Sequence, residues 1–461
     1  MARFLVTGAL PYSNGRLHVG HIAGAYLPAD IYVRYLRAAG HQVRFICGSD
    51  DNGVAVLITA MKEKRSPQEV CLHYNRRQLA DFAGLGIEFD IYGGTHHPDF
   101  VDLHNRISQQ IFRTIHQKGY FSKKRTRQLF DPHVGKFLPD RYVKGRCPLC
   151  GYGEAYGDQC ESCGKSMDPL ALIDPRSAIT GSAPQVRETT HWYLRLDRFE
   201  KPLAQYLDSH PEWRPSVLNF SRGLLREGLP ERAMTRDLDW GVPVPLDDPE
   251  AAGKVLYVWF DAPIGYVSFT ARHCALHEGD WRGYQRWWMD PDCKIIHFIG
   301  EDNTIFHALI WPAMLMAEGS FQLPHQVVAN AFLNIRFPGQ EEEKISKSRG
   351  TAVWIEEYLK TFDPDPLRYY LTAIAPENQR TAFDIDDFVQ RNNAELIGNI
   401  GNFLNRWQKI ASDDFARRIP LIDESLMNEA DRRMLAGGDQ PVEQRVARSI
   451  ESFRFKEALL A

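Results

Sequence analysis

Two short stretches far apart in this 461-residue chain carry side chains suited to one object, a nucleoside triphosphate. His18-Val19-Gly20-His21 sets two imidazoles around a glycine, directly after the turn-rich Pro11-Tyr12-Ser13-Asn14-Gly15. Helix N-termini attract anions through free N–H groups and the dipole, and a glycine lets a nucleotide approach the backbone closely. Lys344-Ile345-Ser346-Lys347-Ser348 offers ammonium and hydroxyl donors on a loop, able to close over a triphosphate and open for release. When a carboxylate attacks the α-phosphate of ATP and expels pyrophosphate, catalysis is mostly positioning and charge neutralisation. Each motif alone has a plainer reading, as capping histidines or as a basic surface loop. Together they point to activation of a substrate with ATP.

The surrounding elements fit that task. Residues 3–10 form an apolar, β-branched run leading into the turn, and Ile22 to Ala39 carries apolar residues at helical spacing until Gly40 closes it. Gln42 to Cys47 reads as a second buried strand, running into Gly48-Ser49-Asp50-Asp51-Asn52-Gly53. Strand, loop, helix, strand, loop is a parallel α/β unit, with ligand groups expected at the carboxyl ends of its strands. A polar, Cys- and Gly-rich region of about 120 residues interrupts the pattern. The α/β character returns with strands expected at Val255 to Phe260, Lys294 to Ile299 and Gln326 to Ala331. From about residue 386 the sequence turns helical and amphipathic, and it stops at Ala461 in what reads as mid-helix, as expected of a piece of a longer chain.

Of eight cysteines, four are spaced as Cys147-x-x-Cys150 and Cys160-x-x-Cys163, with nine residues between the pairs. Two knuckles this close predict a tetrahedral thiolate site for structural Zn2+, one per chain, all four positions being filled by protein. The scattered Cys47, Cys71, Cys274 and Cys293 read as small buried hydrophobes. The net charge of −4 excludes a globally basic nucleic-acid binder, though not a local basic face such as Lys123-Lys124-Arg125-Thr126-Arg127. No stretch has the length and apolarity of a membrane helix, and the start lacks a signal-peptide pattern, so no membrane partner and a cytoplasmic location are expected.

From residue 3 to about 410 the chain resembles the methionyl-tRNA synthetases, a family of class I aminoacyl-tRNA synthetases. His18 to His21 match the family's HIGH signature with valine at the second position, and Lys344 to Ser348 match KMSKS with isoleucine for methionine. More selective are Ala9-Leu10-Pro11-Tyr12, Trp259-Phe260-Asp261-Ala262-Pro263-Ile264-Gly265-Tyr266 and Phe306-His307, a set that isoleucine, valine and leucine enzymes lack. The resemblance implies a Rossmann-type parallel-sheet catalytic domain (1–112 and 231–330) split by a zinc-knuckle connective insertion (113–230). A loop and stem-contact domain (331–385) and an α-helical anticodon-binding domain (386–461, cut short) would follow. The implied activity is ATP-dependent methionine–tRNA ligation, through methionyl-adenylate, onto initiator and elongator methionine tRNA.

The resemblance also assigns residues. His18, His21, Lys344 and Lys347 would be catalytic, with Tyr12, Asn14, Gly20, Asp302, Ser346 and Ser348 completing the ATP site and Mg2+ accompanying the triphosphate. Methionine would lie among Ala9, Leu10, Tyr12, Trp259, Ala262, Pro263, Phe306, Tyr266 and His307, the last two facing the sulfur. An apolar, aromatic pocket suits an unbranched thioether. Asp51 would hold the substrate ammonium. Asn402 and Arg406, spaced i, i+4, would read the first anticodon base.

Two departures stand out. Glu301 occupies a position where most relatives carry lysine, and Glu341-Glu342-Glu343 abut the lysine loop. Both should weaken ATP binding in the ground state, the three glutamates by pairing with Lys344 and Lys347. Two other readings remain, another nucleotidyltransferase with a histidine-glycine-histidine loop and a catalytically silent tRNA-binding relative.

Overall fold

The computed structural model describes all residues except 1, 158, 159, 161, 164, 166, 346–349, 420 and 436–440, with residue 140 described by its backbone alone. Five parallel strands form the central sheet: β1 (Arg3–Gly8), β2 (Gln42–Ser49), β3 (Ile91–Gly94), β4 (Cys293–Gly300) and β5 (Gln326–Asn330), in spatial order β5-β4-β1-β2-β3. The pairings β1–β2, β1–β4, β4–β5 and β2–β3 are all parallel. β1 is buried from Phe4 onward and β5 throughout, as expected of strands covered on both faces. The order reverses beside β1, so a crevice opens beyond the carboxyl ends of β1 and β4.

One helical path follows β1, wound as α over Val19–His21, as π over Ile22–Tyr26 and as α again over Leu27–Ala38. A long helix, Val258–Glu278, is buried almost all round from Phe260 to Ala271. It replaces most of the strand expected at 255–260, of which only Val255–Leu256 is extended. A fully buried helix shows no amphipathic period, so its first turn cannot be told from a strand by pattern. β3 carries no legible strand pattern either, because half of its four residues are glycine. One of them, Gly93, shares a packing reason with Gly48 of β2. A Cβ on Gly93 would lie 2.4 Å from the Phe269 ring, and one on Gly48 at the same distance, so the long helix can seat Phe269 only against bare backbone.

Between β3 and the long helix the chain builds an antiparallel sheet from Phe121–Asp131, Lys136–Phe137, Gln185–Leu194 and Arg232–Ala233, and a smaller one from Val143–Arg146, Ala155–Tyr156 and Ile173–Ser177. After β5, Leu333–Arg336 pairs antiparallel with Glu343–Lys344 and parallel with Thr381–Asp384. Residues 385–414 are helical, and Val442–Glu451 and Phe455–Leu460 return to pack on the parallel-sheet core, where Phe453 lies against Tyr32 and Phe298.

Candidate functional site

The carboxyl ends of β1, β2, β4 and β5 release their chains around one cavity of about 680 Å³. Ala9 to Tyr12 line it after β1, Asp50 after β2, Gly300 at the end of β4 and Asp302 just beyond, and Ala331 to Leu333 after β5. The loops hold each other. Ala9 N–H donates to Phe298 O at 2.9 Å, Asp50 N–H to Pro11 O at 2.9 Å and Ser13 N–H to Asp50 O at 3.0 Å. Of the residues expected at the ATP end, Tyr12, Asn14, His18, Gly20, His21, Asp302 and Lys344 all line this cavity. Ser346, Lys347 and Ser348 lie outside the described residues.

The two histidines cap the helix that begins at Val19. Gly20 N–H donates to His18 Nδ1 at 3.2 Å, and His18 N–H donates to His21 Nδ1 at 3.0 Å. A backbone N–H can only donate, so each neutral ring carries its proton on Nε2. Capping thus turns both rings so that their remaining nitrogen is a donor, the polarity a phosphate requires. The rings lie 3.7 Å apart, centroid to centroid. Gly20 is where the two sequence motifs meet, since a Cβ there would stand 3.1 Å from Ile345 Cδ1. Val19 N–H donates to Val353 O and Ile355 N–H to Leu17 O, both at 3.1 Å, so the histidine turn and the segment following the lysine loop are stitched together.

At the other end the cavity is aromatic. Trp259 and Phe306 stack with centroids 4.0 Å apart, and Tyr12 meets Trp259 edge-on at 6.3 Å. Ala9, Leu10, Ala262, Pro263, Tyr266 and His307 complete this end, so every residue expected around the methionine side chain, apart from Asp51, lines the same space. His307 Nε2 is 3.1 Å from Tyr266 Oη, and Nδ1 is 3.2 Å from Asn303 O. The carbonyl can only accept, so Nδ1 bears the proton and Nε2 accepts from the tyrosine. Burial lowers the His307 imidazole to about 4, which keeps it neutral at physiological pH.

Of the two adjacent aspartates after β2, Asp50 lines the cavity and Asp51 does not. Asp51 is fully buried, its carboxylate accepting from Ser49 Oγ at 2.5 Å and from His96 N–H at 3.0 Å. Consecutive residues leaving a strand point to opposite sides, so Asp50 faces the cavity while Asp51, the expected ammonium partner, turns away from it. Burial, and then the charges of Asp261 and Asp51, push the Asp50 carboxyl well above the usual carboxylate range. A bound ammonium would reverse that.

Lys344 sits on the short strand paired to Leu333–Arg336, with Nζ 5.1 Å from the centre of the Phe332 ring. Glu342 turns to that neighbouring strand, accepting from Asn334 Nδ2 at 2.6 Å and lying 3.6 Å from Arg336 Nη2. Glu301 accepts from Arg380 Nη2 at 2.9 Å and from Nε at 3.2 Å. Glu301 and Glu342, both expected to burden the triphosphate site, therefore have cationic partners of their own. Two basic residues escaped the sequence reading. Arg141 lines the cavity from the small antiparallel sheet's lead-in, and Arg16 lies over Trp354 at 4.2 Å and pairs with Glu357 at 2.6 Å. Single arginines in polar segments give no sequence signal.

The sulfur atoms of Cys147, Cys150, Cys160 and Cys163 all lie within 4.8 Å of one another, which makes a four-thiol cluster able to bind a metal ion. Cys147 and Cys160 are buried within the cluster of Val143, Ala155 and Leu172, against Val54 and Leu57 of the Val54–Glu63 helix. The Cys163 backbone N–H draws the Cys160 thiol down to about 7. Cys47, Cys71, Cys274 and Cys293 are buried and outside this cluster. In the basic run, Lys123 pairs with Asp248 and Glu250, Lys124 with Glu231, and Arg125 with Glu188 and Glu250, so much of its charge is matched within the chain. Asn402 and Arg406 lie exposed on the Asn402–Asp414 helix. Among the described residues no helix is long and apolar enough to cross a membrane.

A family model described as tRNA synthetases class I (M) matches residues 4–408. The chain is 46% identical over 459 residues, 99% of its length, to a methionine–tRNA ligase of Parabacteroides distasonis. It is 48% identical over 425 residues, 91% of its length, to one of Chlorobaculum tepidum, and 43% identical over its whole length to one of Thermococcus kodakarensis. It spans 65%, 59% and 62% of those proteins respectively. The structure of Mycobacterium tuberculosis methionyl-tRNA synthetase in complex with methionyl-adenylate superimposes with a TM-score of 0.77, over 100% of this chain and 81% of that one, at 24% identity. That likeness is one of fold.

Proposed function

The chain belongs to the methionyl-tRNA synthetase family of class I tRNA synthetases, and on that premise we propose that it joins L-methionine to ATP and passes the product to methionine tRNA. One observation carries the reading: a single cavity holds the two capped histidines and Lys344 at one end and the Trp259–Phe306 stack at the other, with Asp50 also on its wall. In this account Asp50 takes the methionine ammonium, and Tyr266 with His307 faces the thioether. The amino-acid carboxylate then lies against the α-phosphate. The Nε2–H donors of His18 and His21 stabilise charge developing on the phosphates, while Tyr12, Asn14, Gly20 and Asp302 shape the nucleotide end. Lys344, together with Lys347, Ser346 and Ser348, neutralises the departing pyrophosphate, and Mg2+ accompanies the triphosphate.

The second step transfers the methionyl group to the terminal ribose 2′-hydroxyl of initiator and elongator methionine tRNA. Asn402 and Arg406, solvent-facing and one helical turn apart, are the proposed readers of the anticodon. The proposed division of labour is catalysis by 1–112 and 231–330, stem contacts by 113–230 and 331–385, and anticodon contacts by 386–461. The proposed place of work is the cytoplasm. A nucleotidyltransferase of another class has no use for the aromatic pocket, and a silent relative has none for two tautomer-locked histidines. Mixing enzyme with ATP, labelled methionine and pyrophosphatase tests the first step: about one equivalent of enzyme-bound methionyl-adenylate is expected, and none would refute the proposal.

The cysteine cluster fits Zn2+ by its donor set, four thiols with none of the positions left for a substrate. We assign it one structural ion, held by Cys147, Cys150, Cys160 and Cys163. Because this cluster packs on the Val54–Glu63 helix, and Arg141 reaches the cavity from the same module, loss of the ion should reach the active site. Elemental analysis should find one zinc per chain. Chelation, or Cys147→Ser, should lower the melting temperature by roughly 5–10 °C and reduce methionine activation together. Full activity in a zinc-free protein would contradict this.

A further inference from the structure

Phe332, just past the end of β5, lines the cavity and carries two cations rather than one. Lys344 Nζ lies 5.1 Å from its ring centroid, and the Arg380 guanidinium carbon lies 5.6 Å from it. The positions are fixed by one strand. Leu333–Arg336 pairs on one side with Glu343–Lys344 and on the other with Thr381–Asp384, directly after Arg380. The two cations therefore approach the ring from the two flanks of the strand that Phe332 leads into. Arg380 also donates through Nε and Nη2 to the same oxygen, Glu301 Oε1. Glu301 stands between Gly300 and Asp302, both of which line the cavity.

This pairing is a weak one to keep. The Arg380 side chain is 60% exposed, and an ion pair so wetted is close to neutral in free energy. A triphosphate presents several negative oxygens, and guanidinium binds phosphate in a planar two-pronged fashion. We propose that Arg380 is a second polyphosphate-binding cation of this site, parked on Glu301 while the site is empty and transferred, alongside Lys344, to the outer phosphates when ATP enters. Glu301 then acts as a positioning residue. It holds the guanidinium beside Phe332 in the empty site and sets the cost of its release.

The inference rests on the proposed methionine-activating function, and the test separates the two. The rival role for the pair is a static latch between the end of β4 and the Thr381–Asp384 strand. A latch predicts that breaking it from either side has the same effect; a transfer predicts opposite effects. In methionine-dependent pyrophosphate exchange, Arg380→Ala should raise KM for ATP about tenfold and leave KM for methionine unchanged. Glu301→Gln should lower KM for ATP by roughly threefold. Arg380→Lys, which keeps the charge but not the fork, should fall between wild type and alanine. Melting temperatures of all three establish that they are folded. Equal increases in both variants, or no change in KM for ATP in Arg380→Ala, would overturn the inference while the parent activity stands. Absence of exchange in the wild-type protein would instead remove the function on which it rests.

Discussion

Replacing His18 by alanine is expected to lower kcat for methionine activation by about two to three orders of magnitude, the usual cost of deleting one preorganised donor to a charge-developing oxygen. KM for methionine should hardly move, because the ring stands at the nucleotide end of the cavity. His18 Nδ1 accepts from Gly20 N–H, so alanine removes a helix cap as well as an Nε2–H donor. Losing a cap costs on the order of 1 kcal/mol and lowers the melting temperature slightly. Asparagine separates the two roles, being among the best capping residues yet too short to place a donor where Nε2–H stands. His18→Asn should therefore melt like wild type and remain as inactive as His18→Ala. Activity restored by asparagine would show that His18 is only a cap.

The second large effect concerns Asp50. Asp50→Asn should raise KM for methionine about a hundredfold, as expected when one partner of a buried charge pair is deleted, with little change in KM for ATP. In the empty site the Asp50 carboxyl is raised well above the usual range, first by burial and then by Asp261 and Asp51. Methionine brings an ammonium that favours the ionised form, so at any pH low enough for the free carboxyl to hold its proton, binding should release it. By linkage, affinity strengthens as pH rises through the raised value of the free enzyme and weakens as pH falls through it. Calorimetry in buffers of different ionisation enthalpy, repeated at successively lower pH, should record that release appearing in wild type and not in Asp50→Asn. Asp51→Asn should instead lower stability, because Asp51 is closed in by Ser49 and His96. If Asp51→Asn were the variant with the selective methionine defect, the assignment made here would be wrong.

That one-residue displacement shows where the sequence stops being legible. Short motifs survive translation into space: the histidine turn lies at a helix start, the four spaced cysteines come within 4.8 Å, and β1, β2, β4 and β5 each cover most of the run expected of them. Their signals are local, set by spacing or by a buried apolar run. Parity at the end of a strand is not local, since it depends on which face the neighbouring loop covers. Tyr12 bridges to Asp50 and so decides which of two adjacent aspartates meets the cavity. The strand β3 and the helix at Val258 were illegible for the same kind of reason. Glycines selected by close contacts, Gly93 by Phe269 and Gly94 by Asp51 and His97, erase a strand pattern, and complete burial erases a helical one. The partners of Glu342 and Glu301 belong to this class as well. Arg336 and Arg380 are brought to them by strand pairing, so acidity beside a lysine loop is not by itself a measure of the field there.

On the proposed function, this cavity couples ATP to methionine before any tRNA is present. The most direct test is exchange of labelled pyrophosphate into ATP by the purified chain, without tRNA, with methionine, leucine, isoleucine or no amino acid. Exchange is expected to depend on methionine, with leucine and isoleucine at least about a hundredfold less efficient by kcat/KM. Exchange supported equally by leucine or isoleucine, or by no amino acid at all, would contradict that function.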